Sequence, residues 1–595
     1  MNESKNKVAS ILEKFNNGDK QKSLNEIEFL LNSDDKNIDL FFIHAKMLIN
    51  LNKLDKSNIS LLKILSLEPN NITVLELIYT NFLKINNYEV AEKYINKLLK
   101  IGNNKYELLR DKAFIEYLKK NYLKSEGFIK KALQINNDEV FGINILGLLK
   151  IEQNKTLEAV QLFEKAIYLN PNYTDSYNNI GKCLIDLEDL SKAYQYFKKA
   201  YKIKPNSDLP IINIANILSL KDKNKLAIKF YEKAKKINPN NRIVDENIAI
   251  CNCRLKNLTW VEENFQKQKK LNDFHYEFVL GYSYLLLNKK RFSEAFDLFD
   301  ARLKTKDFPK KNINHHYIIN KLNTQNIIKP DNKILIIKEQ GVGDEILFST
   351  MYNEIINYCS NIKFECDYRL VKIFNRSFNK NIFFPFGHFS SSKKRTEKFE
   401  KVIYAGSLTK YFRKNENDFK IKPYLKSLKK IDDKINFKLN SLKNTKKIGI
   451  SWKSVINIYG SLKSLKIENF EKIFCKNRSF INLQYGDVDT EIEEFKKKGK
   501  HIYNFTEIDL FNDFESLISL LKSLDIFVTV SNSTAHFAGA LGVPTILICP
   551  KKSSTYYYWD YEDGKTPWYD SVSIIKFDKS IDYTMSLVND LIESI

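Results

Sequence analysis

The sequence predicts an all-helical array of hairpins in its first half and an α/β region with two lobes in its second half. Three observations support this division. Prolines and small packing residues recur about every 34 residues up to residue 305, the repeat stops after Arg302, and strand-like apolar runs alternate with helix-like segments from residue 333. At 595 residues, the chain is long enough for a repeat array and a separate domain.

The repeat is defined by its helix ends and its packing residues. Pro171, Pro205 and Pro239 are spaced 34 residues apart, and Pro69 lies three periods earlier. The small residues predicted on the first helices are Ala113, Gly147, Gly181, Ala215 and Ala249. On the second helices, the small residues are Ala159, Ala193, Ala227 and Ala295, with aromatics at Phe163, Phe197, Tyr231 and Phe299 and further small residues at Ala132, Ala166, Ala200 and Ala234. Helices approach closely where side chains are small, the aromatic fills the space beside them, and proline cannot continue the helix.

This pattern resembles the tetratricopeptide repeat (TPR). The register covers residues 4–305; the best-matched units lie at 106–241, and earlier units match poorly. Asn179, Asn213 and Asn247 repeat at the same spacing on the first helices, so their amides are candidates to line a groove that binds an extended peptide. The alternative is that Asn is simply a common TPR residue at this position.

Composition narrows the ligand classes. The net charge of +23 suits nucleic acid, an anionic membrane surface or anionic sugar phosphates, or is only a general lysine bias. The basic runs at 310–321, 391–396 and 496–500 are short and lack the basic-aromatic pattern of nucleic-acid binding, so we expect no nucleic-acid partner. The seven cysteines form no CxxC pair, so no metal site is expected. No apolar run approaches 20 residues, so no transmembrane helix is expected. The scattered cysteines suit a reducing cytoplasm, and peripheral contact to the inner face of the membrane is a further option.

The second half begins after a predicted connector at 306–332, which contains Pro309 and Pro330. The predicted N-terminal lobe covers 333–440 and starts with the strand at 333–338. The predicted C-terminal lobe covers 445–595. Further strands are predicted at 363–370, 447–452, 480–486, 526–530 and 544–550. Strands that alternate with helices indicate parallel sheets covered by helices on both faces.

The first motif, Glu339 to Asp344, lies between a predicted strand and a predicted helix. Gly341 and Gly343 allow a tight turn and close approach of a ligand to the backbone. Asp344 falls in the first helical turn, where an ionised carboxylate can accept the proton of an attacking hydroxyl. The alternative is an aspartate that only stabilises the start of the helix.

The second motif, Ser531 to His536, also follows a predicted strand and opens a helix. Ser531 and Asn532 suit the N-cap position. The hydroxyls of Ser533 and Thr534, the exposed backbone N–H groups and His536 are candidates to hold a diphosphate. The alternative is an ordinary capped helix with a hydrogen-bonded histidine.

Together these segments resemble glycosyltransferase family 9, which includes the ADP-heptose:lipopolysaccharide heptosyltransferases. The similar stretches are KILIIKEQGVGDEILF, IGISWKS, NLQYGD, LDIFVTVSNSTAHFAGALGVPTILICP and the PWYDS segment at 567–571, in family order over 333–580. The likeness is strongest to the TPR-fused bacterial members. It implies the GT-B fold, in which two Rossmann-like lobes face one cleft and the C-terminal lobe, 445–595, binds the nucleotide sugar.

The resemblance also implies an inverting sugar transfer from a nucleotide-sugar substrate, without a metal or other cofactor. Asp344 matches the family's proposed base, His536 the histidine beside the donor diphosphate, and Lys463 a basic position that is usually Arg. Lys453 lies in the same loop, so either lysine is a candidate to neutralise the leaving diphosphate. The family usually has Asp-Thr where this chain has Ser531-Asn532, so the resemblance does not imply heptose specificity.

The acceptor is expected to be a glycan, a lipid-linked sugar or a protein, and the TPR array is expected to bind the acceptor or a partner protein. Two alternatives remain. One is a TPR scaffold that carries a non-catalytic transferase fold. The other is a protein O-glycosyltransferase analogous to the O-linked N-acetylglucosamine transferases, which also join TPR repeats to a GT-B region.

Overall fold

The computed structural model describes residues 2–103, 105–305, 308, 328–389, 399–420, 422–442, 445–454, 460, 463–550, 555–577 and 580–595. Most of the predicted connector at 306–332, and the basic runs at 310–321 and 391–396, lie outside these residues. The chain divides into two compact units, Met1–Pro210 and Ile211–Ile595.

The first unit is all-helical where it is described. Its helices are α1 Asn2–Asn16, α2 Lys20–Ser33, α3 Ile38–Asn50, α4 Leu54–Leu67, α5 Ile72–Lys84, α6 Tyr88–Lys100, α7 Tyr106–Leu118, α8 Tyr122–Ile135, α9 Val140–Glu152, α10 Thr156–Leu169, α11 Thr174–Asp186 and α12 Leu190–Ile203. The small and aromatic packing residues predicted for this unit are buried between these helices. A Cβ placed on Gly147 would lie 2.5 Å from Phe163 Cε1, and one on Gly181 would lie 2.4 Å from Phe197 Cε1. The aromatic side chains therefore occupy the space that glycine leaves open.

The turn inside each hairpin follows the repeat through the units that match the sequence pattern poorly. A residue with positive φ recurs every 34 positions, at Gly18, Asn52, Asn86, Lys120, Asn154, Glu188, Asp222, Lys256 and Lys290. At Asn52 the turn ends α3 with a hydrogen bond from its N–H to Ile49 O (2.9 Å), and the Lys53 N–H reaches Leu48 O (2.8 Å). These two hydrogen bonds satisfy carbonyl groups in the last turn of the helix. The units before residue 106 therefore keep the same period although their packing residues diverge.

The second unit starts within the array and contains both sheets. Its array helices are α13 Asp208–Leu220, which begins just before the unit, α14 Asn224–Ile237, α15 Arg242–Arg254, α16 Leu258–Leu271, α17 Tyr276–Asn288 and α18 Phe292–Phe299. A 3₁₀ turn over Asp300–Lys304 follows α18. The predicted helical array followed by parallel sheets is confirmed.

The two sheets of the second unit are parallel in every described pairing. The first has the order β3-β2-β1-β4 and the second the order β10-β9-β8-β5-β6-β7. The strands are β1 Ile334–Ile337, β2 Ile362–Cys366, β3 Phe383–Pro385, β4 Lys401–Tyr404, β5 Lys446–Ser451, β6 Arg478–Asn482, β7 Ile502–Tyr503, β8 Ile526–Val530, β9 Thr545–Pro550 and β10 Val572–Phe577. Counted from β5, the second sheet has the order 3-2-1-4-5-6, which is the order of doubly wound dinucleotide-binding sheets.

The strands predicted at 363–370 and 480–486 are shorter than expected and end at Cys366 and Asn482. The helices around the sheets are α19 Val342–Ser349, α20 Tyr352–Tyr358, α21 Val371–Ser377, α22 Thr409–Phe412, α23 Lys429–Lys438, α24 Asp489–Lys497, α25 Phe514–Lys522, α26 Ser533–Leu541 and α27 Ile581–Ser594. Single 3₁₀ turns lie at Ala405–Leu408, Glu416–Phe419, Leu439–Leu442, Ile467–Ile473 and Tyr557–Trp559.

One hydrophobic core joins the last array helices to the sheets within the second unit. Tyr284 of α17 stacks on Tyr557, with ring centroids 4.8 Å apart. Phe299 at the end of α18 packs against Phe348 of α19 at 6.4 Å. The end of the array is therefore part of the structure that supports the loops after β1 and β9. None of the described helices combines the length and the apolar character needed to cross a membrane.

Candidate functional site

The two sequence motifs meet at one cavity of about 260 Å³ in the second unit. The first motif connects β1 to α19, and the second connects β8 to α26. Both loops therefore lie at the carboxyl ends of parallel strands. β8 also pairs with β5, where the strand order of the second sheet reverses. This switch point is the usual ligand position in open α/β sheets.

Most of the predicted donor and catalytic residues line this cavity, namely Gly341, Gly343, Asp344, Ser531, Asn532, Ser533 and His536. Thr534 is buried and does not line it. Neither Lys453 nor Lys463 belongs to the lining, but the two lysines differ in their relation to Asp344.

Asp344 is half-buried in the first turn of α19. Its Oδ2 accepts a hydrogen bond from the Gly341 N–H at 3.3 Å. Burial raises the pKa of Asp344 to about 7, and the negative charges of Glu339 and Glu345 act in the same direction. The N–H of Gly341 opposes this rise. A carboxyl group with this pKa exchanges its proton near neutral pH.

His536 lies across the cavity on α26 and is almost fully buried. Its Nδ1 is 3.2 Å from the Tyr569 hydroxyl, and the Tyr558 and Trp559 rings pack 4.9 Å from its ring centroid. Burial lowers the pKa of His536 to about 3, so the imidazole is neutral at physiological pH. A Cβ on Gly343 would lie 3.0 Å from His536 Cδ2, so glycine permits the close approach of the two motifs.

Asn532 serves the fold as well as the cavity. It is the N-cap of α26, and its Oδ1 accepts from the Ala535 N–H at 3.2 Å. Its Nδ2 donates to Ser451 Oγ at 2.8 Å and to Thr529 Oγ1 at 3.2 Å. The Asn532 amide is therefore engaged by the ends of β5 and β8. We therefore favour the hydroxyls of Ser531 and Ser533, which also line the cavity, over the Asn532 amide as ligand contacts.

Lys463 is buried, with its amine 3.4 Å from the centroid of the Tyr556 ring, and Tyr556 lines the cavity. Burial lowers the pKa of Lys463 to about 8, and the negative charge of Asp344 opposes this effect. Lys453 instead forms an ion pair with Glu491, and its backbone N–H donates to Gln484 Oε1 at 2.7 Å. Of the two predicted lysines, Lys463 is the one that interacts electrostatically with Asp344.

Sequence reasoning missed the aromatic and cationic parts of the cavity wall. Tyr485, Tyr556 and Tyr558 line it, as does Arg369. Arg369 donates to the Phe511 carbonyl at 2.6 Å and to Asp367 Oδ1 at 2.9 Å. The aromatic-rich stretch at 555–569 was the available signal for Tyr556 and Tyr558. Arg369 falls inside the strand predicted at 363–370, and no local pattern marks it.

Two of the three predicted groove asparagines, Asn179 and Asn247, bond to other asparagines of the array. In the first unit, Asn179 Nδ2 donates to Asn144 Oδ1 at 3.0 Å. In the second unit, Asn213 on α13 is buried, and Asn247 Nδ2 on α15 lies 3.4 Å from Asn216 Oδ1. Part of the hydrogen-bonding capacity of Asn179 and Asn247 is therefore used inside the array. In the described part of the chain, no three His, Cys, Asp or Glu side chains are grouped closely enough to hold a metal ion.

Comparison with known proteins identifies the repeat. The family model of the tetratricopeptide repeat matches residues 143–173, 174–207 and 211–241. These residues carry TPR repeats, as the sequence pattern predicts. Protein FlbA of Caulobacter vibrioides is 26% identical over 264 residues, which cover 40% of this chain and 42% of FlbA. The chain thus spans less than half the length of this curated relative.

Solved structures of helical repeat proteins are similar to part of the chain. A tetratricopeptide repeat protein from Parabacteroides merdae is 18% identical with a TM-score of 0.37, covering 40% of this chain and 97% of that one. YrrB, described as a TPR protein with an unusual peptide-binding site, is 17% identical with a TM-score of 0.26, covering 31% and 95%. The Cut9–Hcn1 structure is 15% identical with a TM-score of 0.34, covering 40% and 47%.

Proposed function

We propose that this protein is an inverting glycosyltransferase with a GT-B fold, which transfers a sugar from a nucleotide-sugar donor to a glycan, a lipid-linked sugar or a protein. The observation that carries this proposal is the arrangement of Asp344 and His536 around one cavity, with Lys463 close enough to interact with Asp344. The TPR array then binds the acceptor or a partner protein.

Asp344 is the proposed general base. A base works best when its pKa lies near the working pH, because it is then ionised often enough and still holds a proton well. The raised pKa of Asp344, about 7, meets this condition. Its carboxylate accepts the proton of the acceptor hydroxyl as that oxygen attacks the anomeric carbon of the donor. The bond from that carbon to the diphosphate breaks in the same step.

His536, Lys463 and the start of α26 are proposed to stabilise the leaving diphosphate. In the neutral tautomer in which Nδ1 of His536 accepts a hydrogen bond from the Tyr569 hydroxyl, Nε2 carries the ring hydrogen and donates a hydrogen bond to a phosphate oxygen. Lys463 supplies positive charge, and the N-terminus of α26 supplies backbone N–H groups. Ser531 and Ser533 add hydroxyl donors on the same side of the cavity.

The test is calorimetric titration of the full chain with UDP-, GDP- and ADP-sugars, followed by transfer and hydrolysis assays with the donor that binds. We expect Asp344→Asn to keep donor affinity within about threefold and to lose turnover by about 10²–10⁴-fold, the usual contribution of a general base. Asp175→Asn is the matched control because Asp175 also lies in the first turn of a helix but is exposed and belongs to the first unit. Retained turnover in Asp344→Asn would show that Asp344 is not the base.

A second candidate is a protein-interaction scaffold, which the TPR repeats at 143–241 favour. In that case the α/β region would be a transferase fold without activity. Ser531, at the position where similar transferases usually have an acid, is consistent with this reading. Failure of the wild-type chain to bind any donor in the panel would make the scaffold the better assignment.

A further inference from the structure

We propose that Arg302, in the last turn of the helical array, is a positioning residue for Asp344. It acts through a buried ion pair with Glu339, which stands at the base of the loop that carries Asp344. The catalytic consequence rests on the proposed function, whereas the contact itself belongs to the fold.

The ion pair is bidentate and closed to solvent. Arg302 Nε donates to Glu339 Oε2 at 2.7 Å, and Nη2 donates to Oε1 at 2.8 Å. The side chains are 2% and 0% exposed, respectively. Arg302 lies at the end of the array, and Glu339 lies just after β1. The ion pair therefore joins the helical array to the first loop of the α/β region.

The remaining groups of the pair are also satisfied. Arg302 Nη1 donates to Asp300 Oδ1 at 2.6 Å and to the Phe299 carbonyl at 3.2 Å, and Nη2 also donates to Ser407 Oγ at 3.0 Å. Glu339 accepts a further hydrogen bond from the Gly406 N–H. A Cβ on Gly406 would lie 2.5 Å from Glu339 Oε1 and 2.8 Å from Arg302 Nη2. The segment after β4 therefore leaves room for this pair at a glycine.

Stability alone is a weak reason for such a pair. Burying two charges costs much of what their attraction provides, and apolar residues of similar volume often serve equally well. The pair is next to a turn with an unfavourable backbone conformation. Gln340, directly after Glu339, has a left-handed φ of +58°, and α19 starts two residues later. Fixing the Glu339 side chain therefore fixes the start of the turn that delivers Asp344 to the cavity.

The pair also sets the charge around Asp344. The groups that act on the Asp344 carboxyl include Glu339, Glu345 and Lys463. Glu345 pairs with Lys338 at 2.9 Å, which opposes the burial that raises its pKa to about 7, and Glu339 pairs with Arg302. His536 is neutral, and the nearby hydroxyls of Tyr284, Tyr557, Tyr558 and Tyr569 remain protonated. Removing Arg302 would leave Glu339 as an unbalanced negative charge close to the proposed base.

The test compares Arg302→Met, Glu339→Gln and the double variant in the full chain. In the pH profile of kcat/KM, we expect Arg302→Met to move the acidic limb upward by roughly one pH unit. Glu339→Gln should move it downward, and the double variant should lose the upward shift. Arg302→Lys should keep the limb in place, because it keeps the charge, but lower kcat because lysine cannot form the bidentate contact. A merely structural role does not predict opposite shifts.

Arg376→Met is the matched control, because Arg376 forms a bidentate pair with Glu515 that joins α21 to α25 rather than the Asp344 loop. An unshifted limb in folded Arg302→Met, or an equal shift in Arg376→Met, would overturn the proposal. If Arg302→Met does not fold, the downward shift in Glu339→Gln decides, and its absence would equally overturn it.

A readout without catalysis separates this proposal from the proposed function. The stability difference between each variant and the same variant with Asp344→Asn added, measured by urea unfolding at pH 8, reports the cost of ionising Asp344. This difference should be larger in the Arg302→Met background than in wild type and smaller in the Glu339→Gln background. Failure of all donors to bind would reject the transferase; equal differences in the three backgrounds would reject the role of Arg302.

Discussion

Asp344→Asn tests whether the fold carries a destabilising charge at the site. The folded chain raises the pKa of Asp344 from the usual 3.8 to about 7. Between these values, the folded protein holds a proton that the unfolded chain has released. The contribution of Asp344 to the free energy of unfolding therefore falls as pH rises from about 4 to about 7, and then stays level. Asparagine does not titrate, so the variant should lack this loss.

The size of the effect follows from the shift. A difference of about three pKa units corresponds to about 4 kcal/mol at 1.36 kcal/mol per unit. Asp344 is only half-buried, so solvent screens its charge and reduces this cost to about half. We therefore expect the variant to be more stable than the wild type by about 2 kcal/mol at pH 8, with the advantage shrinking towards pH 4.

Tryptophan fluorescence is the suitable probe. The four tryptophans, Trp260, Trp452, Trp559 and Trp568, all lie in the second unit, so their emission reports urea unfolding of the unit that contains Asp344. Measurements at pH 4.5, 6, 7 and 8 should show wild type and variant diverging as pH rises.

The control is Asp509→Asn. The Asn512 side-chain amide and the backbone N–H groups of Asn512 and Phe511 lower the pKa of Asp509. A lowered pKa gives stability at neutral pH that is lost on acidification, so this variant should differ from wild type with the opposite sign. A difference between Asp344→Asn and wild type that does not change with pH would refute the account of Asp344.

Further predictions concern the array and the site. Gly181→Ala should destabilise the first unit by about 1–3 kcal/mol, because the new Cβ would collide with Phe197. Gly127→Ala, at an exposed helix position where a Cβ meets nothing, should instead raise stability by up to about 1 kcal/mol. Thermal melts followed by circular dichroism compare the two variants. Lys463→Arg should move the alkaline limb of kcat/KM upward by more than about one pH unit, since the Lys463 pKa is about 8 and arginine stays charged. His536→Gln should lower turnover and move neither limb, because the His536 pKa is about 3; a limb shift would contradict its neutral state.

The array was predictable because its packing rule repeats. Small residues such as Gly147 face aromatics such as Phe163 at a fixed spacing, and this geometry leaves the same trace in every well-matched unit. The turn positions leave a weaker trace. Lys120 and Glu188 have positive φ although neither is glycine or asparagine, so the residue type does not predict their conformation. The array therefore extends to earlier units that the marker residues describe poorly.

The site was predictable only in its local parts. Each motif follows a strand and opens a helix, so the placement of Asp344 and His536 at strand ends follows from pattern. Arg302 and Arg369 could not be found this way, because their roles depend on contacts with Glu339 and the Phe511 carbonyl, far away in sequence. The spacing of residues within a short segment cannot predict contacts between residues so far apart in the sequence.

The position of Arg302 changes how the array relates to the proposed chemistry. The predicted groove residues Asn213 and Asn247 belong to the same compact unit as Asp344. Two sets of contacts connect the end of the array to the site: the Arg302–Glu339 pair, and the stacking of Tyr284 on Tyr557, beside Tyr558, which packs on His536. An acceptor bound by these last repeats would be held by the same unit that positions the base. The end of the array is thus better regarded as part of the proposed enzyme than as a separate adaptor attached to it.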